Sequence, residues 1–125
     1  MSLTSRISFA SIAVSLCLSL VHVAQAQIVI NEIHYDPDVK TEWVEFIELY
    51  NAGSENVDLS GWSIRNGVEF VFPANTTLAA ERYLVVGQNV QAISTKYSVS
   101  KTLQVGPFTG RLANTGETIE LVSAD

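Results

Sequence analysis

The side chains best suited to chemistry are carboxylates crowded into one segment: Asp36, Asp38 and Glu42, with Glu32 just upstream. Carboxylates that converge can hold a hard cation such as Ca²⁺, which takes about six to eight oxygen ligands. This run lacks the spacing of a calcium loop, and Pro37 separates the two aspartates with no glycine to tighten the turn. Asp36, Asp38 and Glu42 are therefore weak metal candidates, and neither a metal site nor a cofactor is expected. The stronger reading is a solvated acidic loop that also discourages edge-to-edge strand pairing. A glycosidase-like acid pair would need two carboxylates on either side of a cleft, which this crowding does not supply.

Other catalytic constellations find few residues to build them. Past residue 26, His34 is the only histidine and no cysteine remains, which excludes multi-histidine and cysteine zinc sites there. No G-x-S-x-G elbow presents a serine to His34, and neither a P-loop nor a G-x-G-x-x-G run occurs. His34 beside Tyr35 reads as a surface or edge residue at the end of an extended stretch, and no catalytic residue is assigned. Glu48 shares a strand face with Phe46 and Tyr50, so partial burial would oblige it to find donors, with Asn31 a sensible partner. Trp43 precedes a strand within the acidic segment, where an exposed indole would serve as a recognition anchor. Asn75-Thr76-Thr77 is a formal glycosylation sequon, meaningful only in a eukaryotic secretory pathway.

The elements that must position these groups begin after a targeting segment. Arg6, the apolar run from Ile7 to Leu20 and the small-x-small Ala24-Gln25-Ala26 identify residues 1–26 as a signal peptide. Cleavage between Ala26 and Gln27 is expected, with a secreted, extracellular or periplasmic location. An uncleaved N-terminal anchor is the rival, but the run is short of the ~20 residues that span a bilayer. Leu16 precedes Cys17 where a lipobox needs a small residue, so lipidation is not expected. Residues 27–125 make one domain of sandwich size without a disulfide, dependent on its core alone.

That mature segment carries thirteen acidic side chains against six basic ones, a balance of −7. Eight of the carboxylates lie between Glu32 and Asp58, where Lys40 is the sole cation. Such a field repels phosphate backbones and anionic lipid surfaces. Nucleic acid is therefore excluded as a partner, and no stable membrane anchor is expected in this segment.

Gln27 to Tyr35 reads as the first strand and Asp36-Pro37-Asp38 ends it. The organising stretch is Glu45 to Trp62. Glu45, Ile47 and Leu49 share one strand face, and Phe46, Glu48 and Tyr50 the other. Asn51 to Asn56 is a polar turn, from which Val57, Asp58 and Leu59 are expected to return as a hairpin. The apolar phase slips at Ser60-Gly61, which predicts a bulge or bend leading to Trp62 and Ile64. Asn66-Gly67 suits a tight hairpin, and Val68, Phe70 and Phe72 alternate inward up to Pro73. Tyr83 to Val86 is apolar enough to be a central strand. Val90, Ile93 and Tyr97 predict one or two helical turns. Phe108 plugs the core from a loop, and Ile119 and Leu121 belong to a last half-buried strand. The predicted core comprises Ile47, Leu49, Leu59, Trp62, Phe70, Phe72, Ile119 and Leu121, in an all-β sandwich.

Glu45-Phe46-Ile47-Glu48-Leu49-Tyr50-Asn51 followed by Val57-Asp58-Leu59-Ser60-Gly61-Trp62 resembles the lamin tail domain family, in its bacterial secreted branch. Ile30-Asn31-Glu32-Ile33, Phe70-Val71-Phe72-Pro73, Tyr83-Leu84-Val85-Val86 and Gly116-Glu117-Thr118-Ile119-Glu120-Leu121 extend the likeness over nearly all of the chain from Ile28 onward. The resemblance implies an immunoglobulin-like β-sandwich and a non-catalytic role; no catalytic residue carries over. It also implies further strands beyond Leu121. Residues 27–125 are thus expected to be a C-terminally incomplete domain at the front of a larger multimodular protein. The function expected from it is a secreted or cell-surface module for adhesion, docking or display, with a protein or glycan as partner. The alternative is a calcium- or carbohydrate-binding accessory module of a secreted enzyme.

Overall fold

The computed structural model describes residues 27–124. The expected signal peptide and its cleavage point at Ala26 lie outside the described residues.

The first sheet is built on β1 (Ile28–His34), β2 (Phe46–Asn51), β7 (Tyr83–Gly87) and β8 (Gln104–Val105), in the order β1-β2-β7-β8. From Glu45 through Asn51 burial alternates residue by residue, with Glu45, Ile47, Leu49 and Asn51 turned inward. A strand has a period of two, so this alternation sends one set of side chains to the core and the other to the opposite face. The second sheet consists of β4 (Ser63–Arg65), β5 (Val68–Val71), β9 (Thr109–Gly110) and β10 (Glu120–Val122), in the order β10-β4-β5-β9. Asn66 and Gly67, both at positive φ, turn β4 into β5. Val68, Phe70 and Phe72 then point inward, as their spacing predicts.

The two sheets face each other over one core. Ile47, Leu49, Leu84 and Val86 of the first pack with Ile64, Val68 and Phe70 of the second, and Leu59, Phe72 and Phe108 complete the cluster. The chain is thus an all-β sandwich of immunoglobulin-like type. Trp62, Ile119 and Leu121 are half-buried and pack against this core from its margin. Gly61 at φ 75° and the bond from Trp62 N to Leu59 O make the expected bend, and it delivers the indole to the side of the sandwich. Ile119 and Leu121 sit at an outer strand, where covering neighbours are fewer.

The expected hairpin across Asn51 to Asn56 does not form. The chain leaves the first sheet at Asn51, and β3 (Val57–Asp58) pairs with β6 (Thr77–Leu78) in a separate two-stranded ribbon. Asn51 explains this departure. Its side chain donates to Glu55 O at 2.8 Å and Leu78 O at 3.0 Å, and accepts from Gly53 N at 3.0 Å. A buried amide that satisfies three backbone groups fixes the turn against β6 and steers the chain away from β2.

The helical turns anchored by Val90, Ile93 and Tyr97 form α1 (Val90–Tyr97), capped by Asn89, whose side chain accepts from Ala92 N at 3.0 Å. The helix and a short 3₁₀ turn at Lys101–Leu103 connect β7 to β8, which pair in parallel. Parallel neighbours require such a crossover. Ile93 buries against Val44 and Val85, so the helix covers one end of the outer face of the first sheet.

Candidate functional site

The segment between β1 and β2 is held from three directions. A turn closes it where Glu42 N donates to Val39 O at 3.0 Å. Beyond it Val44 is buried beneath α1, which fixes the chain on one side of Trp43. Glu45 is also buried, and its carboxyl accepts a hydrogen bond from Leu112 N at 2.9 Å. On the other side of Trp43, the ammonium of Lys96 on α1 pairs with both Asp38 and Glu42.

The acidic candidates therefore do not converge. Asp38 and Glu42 share Lys96, whereas Asp36 pairs with Lys40 and accepts from Asn114 Nδ2 at 3.1 Å. Among the described residues no group of three acidic, histidine or cysteine side chains is placed to hold a metal ion. The hydrogen bond from Lys96, and then its charge, hold the Asp38 carboxyl below the usual carboxylate range. Hydrogen bonds to Asp38 and then Glu42 hold the Lys96 ammonium above its ordinary value.

This clamp has a pH window set by those directions. A carboxyl lowered on folding stabilises above its unfolded value and loses that contribution as pH falls through its folded value. A raised ammonium acts oppositely, with its contribution lost only in strong alkali. Lys96→Met should therefore quicken amide exchange over residues 38–44 severalfold at pH 7, a difference that shrinks below about pH 4. The global denaturation midpoint should barely move, because exposed ion pairs contribute little. Exchange unchanged at pH 7 would show that Lys96 does not hold the segment.

Within this frame Trp43 is 58% exposed. The Arg111 guanidinium lies 5.9 Å from the ring centroid, within cation–π range. Trp43, Glu42, Val44, Asn89, Ala92 and Lys96 line an open groove of about 510 Å³ between the segment and α1. An indole held by buried neighbours, with charged and amide groups around it, suits recognition of a partner.

The remaining sequence candidates are placed plainly. His34 is half-buried, stacked on Phe46 at 4.9 Å, and its Nε2 is 2.9 Å from the Tyr97 hydroxyl. It joins β1 to the end of α1. Glu48 accepts from Asn31 Nδ2 at 2.8 Å, the partner its strand position suggests. Asn75 lies exposed in a turn. Sequence reasoning missed Lys96 and Arg111, which come from distant parts of the chain and carry no spacing signal. Asn51 and Glu45 did leave a signal, as polar residues at inward positions of an alternating strand.

The profile of the Lamin Tail Domain family matches residues 23–125. No curated protein matches the chain.

Proposed function

The chain belongs to the lamin tail domain family of non-catalytic immunoglobulin-like modules, and we propose that it is a secreted or cell-surface module for adhesion, docking or display. It serves as one part of a larger exported protein and engages a protein or glycan partner through Trp43. The observation that carries this reading is the 58% exposure of Trp43 on a groove whose surroundings are tied down. Interface energy concentrates in such aromatic anchors, and a preformed setting lowers the cost of ordering them. The acidic balance disfavours nucleic acid as the partner. No helix of the described residues is long and apolar enough to cross a membrane.

Cosedimentation with the cell-envelope fraction of the source organism tests the reading. Trp43→Ala should weaken binding at least tenfold, about 1.4 kcal/mol or more. Its melting temperature should stay near that of the parent, since truncating an exposed side chain changes stability little. Unchanged binding would reject Trp43 as the anchor.

A carbohydrate-binding accessory role is the second reading, favoured by the hydrogen-bonding Glu42, Asn89 and Arg111 around an open ring. Retained binding to protease-treated envelope polysaccharide would select it. The calcium form of that role draws no support from the geometry, because lysines stand against all three carboxylates.

A further inference from the structure

The Asn66-Gly67 turn carries a chemistry apart from its role in joining β4 to β5. An asparagine side chain is a latent electrophile, because the backbone nitrogen of the next residue can attack its amide carbon. A succinimide ring closes and ammonia leaves. Water then opens the ring at either carbonyl, which gives aspartate or isoaspartate. A side chain on the following residue hinders the attack, and glycine has none.

The structure sets Asn66 apart from the other asparagines. Asn31 donates to Glu48, Asn51 bonds three backbone groups, and Asn114 donates to Asp36. Asn56 accepts from Ala80 N and Asn89 from Ala92 N. Such bonds hold a side-chain amide away from the nitrogen that would attack it. Asn66 and Asn75 are exposed, and the side chain of neither makes a hydrogen bond among the described residues. Asn75 precedes Thr76, whose branched side chain crowds its own nitrogen. Thr76 N is also engaged, donating to Pro73 O at 3.3 Å. Asn66 precedes Gly67, whose N–H donates no hydrogen bond among the described residues.

Both turn residues are left-handed, Asn66 at φ 60° and Gly67 at φ 75°. Within the turn one hydrogen bond forms, from Val68 N to Asn66 O at 2.9 Å. Ring closure has to swing that carbonyl away, so this single bond stands against it.

The product bears on a neighbouring loop. Glu117 sets its carboxyl group against Gly67, where an added methyl would lie 2.5 Å from the carboxyl carbon. Glu117 also accepts from Ala113 N at 2.7 Å and so fastens the reversal that leads to β10. Conversion of Asn66 places a negative charge one residue from that carboxylate, and like charges at short range repel. Isoaspartate also adds a carbon to the main chain within the turn.

We propose that Asn66 is a self-modification site, converting to aspartate and isoaspartate through a succinimide with Gly67, and that the new charge loosens Glu117 from Ala113. The step balances with water alone. Gly67 N gives up its proton as the ring closes and regains one as it opens, while the amide nitrogen departs as ammonia.

The test ages the full chain in mildly alkaline buffer, with samples digested at acid pH so that digestion adds no conversion. Mass spectrometry should show amide-to-acid conversion at Asn66 before Asn75, with the bonded asparagines intact. Isoaspartate among the products, read by isoaspartate-specific methyl transfer, marks the ring, since direct hydrolysis gives aspartate alone. Amide exchange over residues 113–117 should be severalfold faster in the aged chain, and from the outset in Asn66→Asp. Asn66→Gly accepts the left-handed φ without strain and should age without this change. Asn66 intact once Asn75 has converted, aspartate as the sole product, or loop exchange unaltered in both the aged chain and Asn66→Asp would each overturn the proposal. Equal loosening of the loop in aged Asn66→Gly would do the same, because that chain has no amide there to lose.

Discussion

Asn51→Asp should destabilise the domain by about 3–5 kcal/mol at pH 7, a large share of the ~5–15 kcal/mol that holds a domain folded. Asn51 is fully buried. Its amide nitrogen donates to the carbonyls of Glu55 and Leu78, and its amide oxygen accepts from Gly53 N. A carboxyl of the same shape can still accept from Gly53 but turns an oxygen toward two carbonyl oxygens. Each buried carbonyl deprived of its donor costs about 1–3 kcal/mol, and the repulsion adds to that. The backbone of Asn51 is also engaged, donating to Arg82 O and accepting from Glu81 N, both at 3.0 Å. The residue therefore joins the turn after β2 to both the β3–β6 ribbon and the reversal before β7. Burial among carbonyls raises the new carboxyl's folded pKa above its unfolded value, so the penalty is full above the folded value and fades toward the unfolded one. Urea titrations at pH 7 and pH 4.5 should show the gap from the parent narrowing in acid. A gap below about 1 kcal/mol at both pH values would show that the three hydrogen bonds are dispensable.

What was legible in the chain follows from how local each signal is. The alternation from Glu45 to Leu49 fixes which side chains point inward whatever the strand pairs with, and the buried set agrees with it. Asn66-Gly67 is likewise read from the φ preferences of two residues, and the bend at Gly61 from a local slip in the apolar phase. The likeness of Glu45–Asn51 and Val57–Trp62 to the family gave the sandwich, and the family match supports the same fold. Pairing is another matter. Whether Val57 returns against β2 or crosses to Leu78 depends on Asn51 finding a carbonyl 27 positions away. No periodicity records that choice. The parallel β7–β8 pair depends on the helix between them, and Gln104-Val105 alone is too short to announce a strand. The Trp43 setting was half legible. An aromatic among carboxylates invites attention, whereas Lys96 reaches Asp38 across 58 positions and Glu42 across 54. Those partners are chosen by where α1 lies, and its place is set by the burial of Ile93 against Val44 and Val85.

Glu45→Ala should cost about 2–3 kcal/mol and also disturb Trp43, two positions away. The Glu45 carboxyl accepts from Leu112 N inside the fold, and its backbone oxygen accepts from Gln88 N at 2.9 Å. Truncation removes the acceptor and leaves the Leu112 N–H buried without a partner, the expensive way to lose a hydrogen bond. Glu45→Gln keeps an oxygen in the same place and should cost under about 1 kcal/mol. The functional consequence follows from sequence adjacency. Leu112 is the neighbour of Arg111, whose guanidinium stands over the Trp43 ring. Releasing Leu112 frees Arg111, so the emission of Trp43, recorded in a Trp62→Phe background, should change in Glu45→Ala and stay near the parent in Glu45→Gln. Partner binding should follow the emission rather than the melting temperature, because Glu45 touches the groove only through the chain it holds. If Glu45→Ala lowers stability but leaves emission and binding unaltered, the hydrogen bond serves the core alone and Trp43 is positioned by Val44 and the Lys96 clamp.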